Sequence, residues 1–280
     1  MIKLVDCYSV AVSRFEKAEI EVASLDRFIE HVLDIPYRSL HRHMQDTLST
    51  DQHKQLAQGI ERLLDHYPLQ YLIGTAHFYG YDFNVNEAVL IPRQETEELV
   101  YTVLQQLKSR QDPIRVLDIG TGSGAIAITL KKERPTLEVT AVDLSKEALI
   151  VAAQNAQALN AEVTFFESDL FEAVEGQQFD CIVSNPPYIS VSEQPVMSES
   201  TKLHEPALAL YAEQEGLAIY QRLAEQAHKY LTRKGIIAVE IGYQQGRGVQ
   251  QLFQQAFQEA TVQIIQDMSG HDRIVIVNCG

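Results

Sequence analysis

Apolar residues in the first quarter of the chain recur at intervals of three and four. Leu25, Phe28, Ile29, Val32 and Leu33 fall on one face of a helix that Ser24 would cap and Pro36 would close. Leu56, Ile60, Leu63, Leu64 and Tyr67 repeat the pattern between Thr50 and Pro68, so residues 1–75 read as a small helical bundle. From Tyr79 the period drops to two: Tyr79, Tyr81, Phe83 and Val85 alternate with Gly80, Asp82 and Asn84, and Val89-Leu90-Ile91 comes next. That alternation predicts a β-hairpin over residues 76–93 that links two domains. A helix starting near Thr96 carries Leu99, Val100, Val103, Leu104 and Leu107 on one face.

Beyond residue 113 short apolar runs alternate with helical stretches. Arg115–Ile119, Val139–Val142, Val163–Phe166, Cys181–Ser184 and Ile236–Ile241 read as strands of a mainly parallel, doubly wound α/β sheet. Val262–Ile265 and Ile274–Val277, with Gly270 and Asp272 between them, suit a closing hairpin at the sheet edge. The second domain therefore spans residues 94–280.

Composition narrows the function classes. The formal charge is −15, and a body this acidic repels phosphate backbones unless its cations cluster on one face. The nearest approach to a cluster, Lys131-Lys132 with Arg134, sits at a helix end, so no direct nucleic-acid partner is expected. The three cysteines, Cys7, Cys181 and Cys279, are odd in number and widely spaced, which suggests neither a disulfide framework nor a zinc site and favours the reducing cytoplasm. The apolar stretch at Val10–Val12 is bracketed by Asp6, Arg14 and Glu16 and lacks a cleavage site, so it reads as no leader. No long apolar run suggests a membrane span. His41, His43, His204 and His271 show no metal-ligand spacing, and a monomer is the default expectation.

The chemistry concentrates after three strands. The first ends in Asp118-Ile119-Gly120-Thr121-Gly122-Ser123-Gly124 and runs into a helix. Glycines there let the backbone approach a ligand, and the helix N-terminus offers unpaired N–H groups. The spacing G-x-G-x-G differs from the dinucleotide fingerprint, and Asp118 at the loop entrance suits the ammonium of S-adenosylmethionine. Asp143 ends the next strand about twenty residues on, where a carboxylate accepts the vicinal hydroxyls of a ribose. The lesser alternative is a cap for the helix from Ser145 onward, and both roles can hold. Asp169 and Leu170 or Phe171 follow the third strand, where Asp169 would accept an exocyclic amine and an apolar side chain would pack on adenine.

Asn185-Pro186-Pro187-Tyr188 comes directly after the fourth strand. Two successive prolines fix the loop and hold the Asn185 side-chain oxygen and the Pro186 carbonyl as a rigid pair of acceptors. An amide or exocyclic NH2 is a poor nucleophile because its lone pair is delocalised. Accepting its two hydrogens aims that lone pair at a methyl donor and stabilises the charge that develops on nitrogen. Tyr188 would stack on the planar group.

These residues resemble the HemK-type release-factor glutamine methyltransferases. The resemblance runs through Pro68–Gly74, Val89–Arg93 with Glu95-Thr96-Glu97, Gly120–Gly124, Val183–Ile189, Glu205–Leu210, Glu240-Ile241-Gly242 and Gly270–Arg273, and covers residues 55–280 strongly. It implies a seven-stranded Rossmann-like class I methyltransferase domain, with S-adenosylmethionine on Gly120–Gly124, Asp143 and Leu170. It also implies that Asn185–Tyr188 hold the glutamine of the Gly-Gly-Gln motif of bacterial class I release factors. The helical N-terminal domain would help grip that partner. The family often has Pro at Gln94 and Trp at Leu170; the first departure bears on the helix entry, and the second removes an aromatic wall beside adenine. An N6-adenine or N4-cytosine nucleic-acid methyltransferase is the alternative reading, because a flipped base needs the same paired acceptors. A non-catalytic scaffold of the translation apparatus is a further one.

Overall fold

The computed structural model describes residues 2–280, which separate into two compact units, one of residues 2–74 with Ser198–His204 and the other of the remainder. In the first unit α1 (Leu4–Lys17), α2 (Val22–Leu33) and α3 (Thr50–Leu64) bury Leu4, Phe15, Leu25, Phe28, Leu56 and Ile60 between them, and a short α4 (Leu69–Ile73) follows. α1 is a helix that the sequence reading did not place. α2 begins earlier than its proposed cap: Glu21 is the N-cap, and Ser24 lies in the first turn with its hydroxyl donating to the Glu21 carbonyl. α3 is capped by Ser49, whose side chain and that of Gln52 satisfy each other's backbone N–H groups.

The second unit opens with a two-stranded hairpin, β1 (Thr75–Phe78) against β2 (Tyr81–Asn84). Its turn is Tyr79-Gly80, both at positive φ, and Val89–Ile91 is not a strand. The alternation from Tyr79 to Val85 thus crosses a turn, because a two-residue turn with both φ positive keeps strand register and conceals itself in a period of two. α5 (Gln94–Leu107) starts at Gln94, a first-turn position that tolerates Pro or Gln alike.

The sheet is built from β3 (Arg115–Ile119), β4 (Glu138–Asp143), β5 (Val163–Glu167) and β6 (Phe179–Ser184), with α6 (Ala125–Glu133) and α7 (Lys146–Ala158) as crossovers. α8 (Glu199–His204) belongs to the first unit, where His204 Nε2 bonds the Asp65 carbonyl at 3.0 Å. A short α9 (Ala207–Leu210) and α10 (Ala218–Ala227) lead to β7 (Leu231–Glu240), α11 (Gly246–Ala256), β8 (Thr261–Gln266) and β9 (Asp272–Asn278). The seven strands run in the order β5-β4-β3-β6-β7-β9-β8; the first five are parallel, and β9 is antiparallel to both neighbours. The closing hairpin therefore supplies the last two strands. Two apolar layers cover the sheet, one with Leu99, Val103, Ile126 and Ile128, the other with Phe171, Tyr220, Leu223 and Phe253. Lys131, Lys132 and Arg134 each donate to backbone carbonyls that tie the end of α6 to neighbouring segments. Among the described residues no helix is long and apolar enough to cross a membrane.

Candidate active site

β3 and β6 are neighbours in the sheet, so the loops that leave their carboxyl ends adjoin. The Ser184 hydroxyl at the end of β6 donates to the Ile119 carbonyl at 2.7 Å and pins the two strand ends together. One cavity in the second unit is walled by Gly120–Ser123, Asp143–Ser145, Ser168–Leu170 and Ser184–Pro187, and is closed by Ala88–Leu90, Pro92, Arg93, Pro206 and Leu208.

Gly120, Gly122 and Gly124 all lie in the left-handed region. A Cβ at Gly120 or Gly122 would meet nothing within 4 Å, whereas one at Gly124 would strike Ile128 Cδ1 at 2.6 Å. The loop therefore leaves an open cradle on its cavity side while packing tightly on the helix side. Asn155 of α7, fully buried, holds the loop from behind: its Nδ2 donates to the Ser123 and Asn84 carbonyls at 2.9 and 3.0 Å, and its Oδ1 accepts from Asn84 N at 2.7 Å.

Asp143 lines the cavity. Its Oδ2 accepts from Gly122 N at 2.8 Å and its Oδ1 from Ser145 N at 2.9 Å, and burial raises its carboxyl above the usual range. The cap of α7 is Ser145, which accepts from Ala148 N, so the helix-cap reading does not apply to Asp143. Asp118 stands elsewhere. It is completely buried beneath the loop, where Oδ2 accepts from Thr121 Oγ1 at 2.6 Å and from Ala127 N at 3.2 Å, and it does not line the cavity. It is a buried brace for the loop, and burial pushes its carboxyl up to about 7.

Asp169 and Leu170 both line the cavity, and Asp169 pairs with Arg222 at 2.8 Å. Leu170 takes φ +52, and that backbone twist sends Phe171 into the core, stacked on Tyr230 at 4.4 Å between ring centroids. Of the two apolar candidates only Leu170 faces the cavity. Leu144, half exposed beside Asp143, adds a second apolar wall.

Asn185, Pro186 and Pro187 line the same cavity; Tyr188 does not. The Tyr188 carbonyl accepts from Gln245 Nε2 at 2.8 Å, and its ring lies close to Gly242. Tyr188 here anchors the loop from behind.

Two family comparisons and the sequence relatives decide between the readings. Residues 96–208 match the methyltransferase small domain and residues 6–74 the PrmC N-terminal domain. A release factor glutamine methyltransferase of Enterococcus faecalis is 47% identical over 235 residues, which cover 84% of each chain. The protein of the same name in Bacillus subtilis is 42% identical over 83% of this chain and 82% of its own. This chain belongs to the release factor glutamine methyltransferases. Among solved structures, a Pyrococcus furiosus methyltransferase shares the fold, with 18% identity, a TM-score of 0.54 and coverage of 80% of this chain and 99% of that one.

In this family member several polar residues that the sequence reading quoted within motifs but gave no role stand around the cavity. Asn185 Nδ2 donates to Thr96 Oγ1 at 3.1 Å, and the polar side chains of Thr96 and Asn185 both favour the charged form of Glu240, which is 1% exposed at the end of β7. Burial raises Glu240 to about 7 against the pull of these side chains and of Arg273, and among the described residues its Oε2 meets no partner. Arg93 pairs with the buried Glu205 at 2.5 Å, while Glu205 Oε2 accepts from Ile91 N at 3.2 Å, which fixes the loop that closes the cavity. The sequence signal for Glu240 was available: an acid at the carboxyl end of a buried apolar strand, at the sheet end where Asp118, Asp143 and Asn185 also lie.

Proposed function

We propose that this enzyme methylates N5 of the glutamine in the Gly-Gly-Gln motif of bacterial class I release factors, with S-adenosylmethionine as methyl donor. The observation that carries this reading is that the glycine cradle, Asp143 and Asn185-Pro186 face one cavity, in a chain whose relatives are named as release factor glutamine methyltransferases. The donor fits the residues present. The open space over Gly120 and Gly122 admits its amino-acid portion, the two free lone-pair directions of Asp143 suit the ribose hydroxyls, and Leu144 and Leu170 offer apolar walls to adenine. Bound there, S-adenosylmethionine supplies an electrophilic methyl on a sulfonium.

The protein's part is orientation. The Asn185 amide gives its Nδ2 to Thr96, so its Oδ1 is the atom left to the cavity. Together with the Pro186 carbonyl it accepts the two hydrogens of the glutamine amide, turns the nitrogen lone pair toward the methyl, and stabilises positive charge that grows on nitrogen. The N-protonated product amide is very acidic and gives its extra proton to water, so no side-chain base is required. Tyr188 holds the loop through its carbonyl, and the first unit contributes to recognition of the release factor.

Incubation of the purified enzyme with S-adenosylmethionine and unmodified release factor, in parallel with single- and double-stranded DNA, tests the reading. Peptide mass spectrometry should find one added methyl on the Gly-Gly-Gln glutamine and none on DNA. Methylation of DNA alone would overturn it.

A further inference from the structure

A carboxamide is nearly symmetric in shape, and its two orientations differ by 180° with little change in packing. Only one orientation of Asn185 presents an acceptor to a substrate NH2; the other sets two donors face to face. Something must therefore choose between them. Glu240 supplies the choice, because an ionised carboxylate accepts and cannot donate. The polar side chains of Thr96 and Asn185 favour its charged form, and Asn185 Nδ2 donates to the Thr96 hydroxyl at 3.1 Å. That hydroxyl has one proton, and once it is given to Glu240 only acceptor lone pairs remain for Nδ2. The polarity of the whole chain follows from the charge at its inner end.

We propose that Glu240 and Thr96 are positioning residues that lock the Asn185 amide with Nδ2 inward, so that Oδ1 is held toward the substrate amide. The inference rests on the assignment of Asn185 as the acceptor of the glutamine NH2. Glu240 has no contact with the cavity, and its Oε2 has no partner among the described residues. A buried carboxylate with a bare oxygen costs stability, so packing alone does not account for an acid here. The charged and titratable groups that face it are Arg273 on β9, Glu95 on α5, Tyr188 in the loop and Tyr220 on α10.

Glu240→Gln removes the charge and brings an NH2 that can donate to Thr96 or to Asn185, so both amide orientations become available. The full-length enzyme is assayed with release factor for kcat, KM and their pH dependence, with calorimetry for the S-adenosylmethionine Kd. The variant should lose at least about tenfold in kcat, with Kd and KM changed less than about threefold. Wild-type kcat should fall on the acid side around pH 7, where Glu240 titrates, and the variant should lack that limb. A variant with kcat within about twofold of wild type and an unchanged acid limb would overturn the proposal. If Glu240→Gln does not fold, Thr96→Val decides: an equal loss that Thr96→Ser restores supports the lock, and wild-type kcat in Thr96→Val refutes it. If the wild-type enzyme methylates no release factor, the functional reading fails separately. The lock is then read from the Asn185 side-chain NH2 resonances, which should shift with the Glu240 titration in wild type and stay still in Glu240→Gln. Resonances that stay still in both would overturn it.

Discussion

Asp143→Ala should weaken S-adenosylmethionine binding by about a hundredfold or more, and the structure gives the arithmetic. A carboxylate has about four lone-pair directions, and the protein uses two of them, on Gly122 N and Ser145 N at 2.8 and 2.9 Å. One direction remains on each oxygen for the two ribose hydroxyls. Hydrogen bonds to a charged acceptor contribute about 1.5–3 kcal/mol each, so losing two costs about 3–6 kcal/mol. Part is returned because Asp143 no longer has to be desolvated, a cost visible in its raised pKa, which places the result at the lower end, about a hundredfold in Kd. The freed N–H groups of Gly122 and Ser145 lie at a part-open site and can turn to water, so folding should suffer by only about 1 kcal/mol. Calorimetric titration with S-adenosylmethionine, beside a thermal melt, measures both. Asp143→Asn keeps one acceptor and should fall between the two. An alanine variant that melts like wild type and binds within about threefold of it would show that Asp143 does not hold the ribose.

Other expectations follow from the same geometry. Asn185→Ala should cost about a hundred- to a thousandfold in single-turnover methylation while leaving the cofactor Kd nearly unchanged; an equal loss of affinity would end the division of labour with Asp143. Gly124→Ala meets Ile128 Cδ1 at 2.6 Å and Ala152 Cβ at 3.2 Å at φ +82, and should destabilise by about 2–4 kcal/mol in denaturant unfolding. Gly120→Ala has open space at its Cβ and should cost cofactor affinity more than stability. Glu240 is raised by burial from 4.5 to about 7, so the folded state holds its proton more tightly than the unfolded chain. Its contribution to stability is complete below the unfolded pKa and is lost as pH rises through 7. Between pH 5.5 and 8.5 the wild type should therefore lose about 2 kcal/mol more unfolding free energy than Glu240→Gln, measured by urea titration at both pH values.

Most of the sheet was legible in the sequence because its central strands β3, β6 and β7 are buried along most of their length. Val116-Leu117 and Ile119, and Cys181-Ile182-Val183, give β3 and β6 a mostly apolar, β-branched character, and Gly120 and Pro186 follow their carboxyl ends closely. What escaped had physical causes. Leu4, Cys7, Tyr8, Ala11, Val12 and Phe15 carry helical spacing in α1, but judged only as a leader the stretch yields no helix. The hairpin turn vanished into a period of two. Asp118 was placed at the loop entrance because it precedes the glycines, yet strand alternation turns its side chain beneath them. The residues alone did not rank Leu170 against Phe171; the resemblance pointed to Leu170, and its positive φ is the physical reason that it faces the cavity. Thr96 and Asn155 lie 89 and 71 positions from their partners, Asn185 and Asn84, a separation at which single-sequence patterns carry no information.

The site exists because of a reversal in strand order. From β3 the chain builds outward through β4 to β5, then returns across the sheet to lay β6 on the other side of β3. At such a switch point the helices diverge to opposite faces and leave a crevice at the carboxyl ends of the two central strands. The glycine loop leaves β3 there and the Asn-Pro-Pro loop leaves β6, so donor and acceptor machinery 61 or more residues apart in sequence meet without any loop reaching far. The same geometry sorts the polar side chains by depth. Asp143 and Asn185, at or past the strand tips, face the cavity, while Asp118 and Glu240 sit behind and brace the parts that do. Both bracing carboxylates are buried, each with one oxygen bare among the described residues, and both have raised pKa values for that reason. The fold thus spends stability at the carboxyl ends of β3 and β7 to hold a loop and an amide still. The reaction needs that stillness, because an amide nitrogen becomes nucleophilic only when its two hydrogens are held in fixed directions.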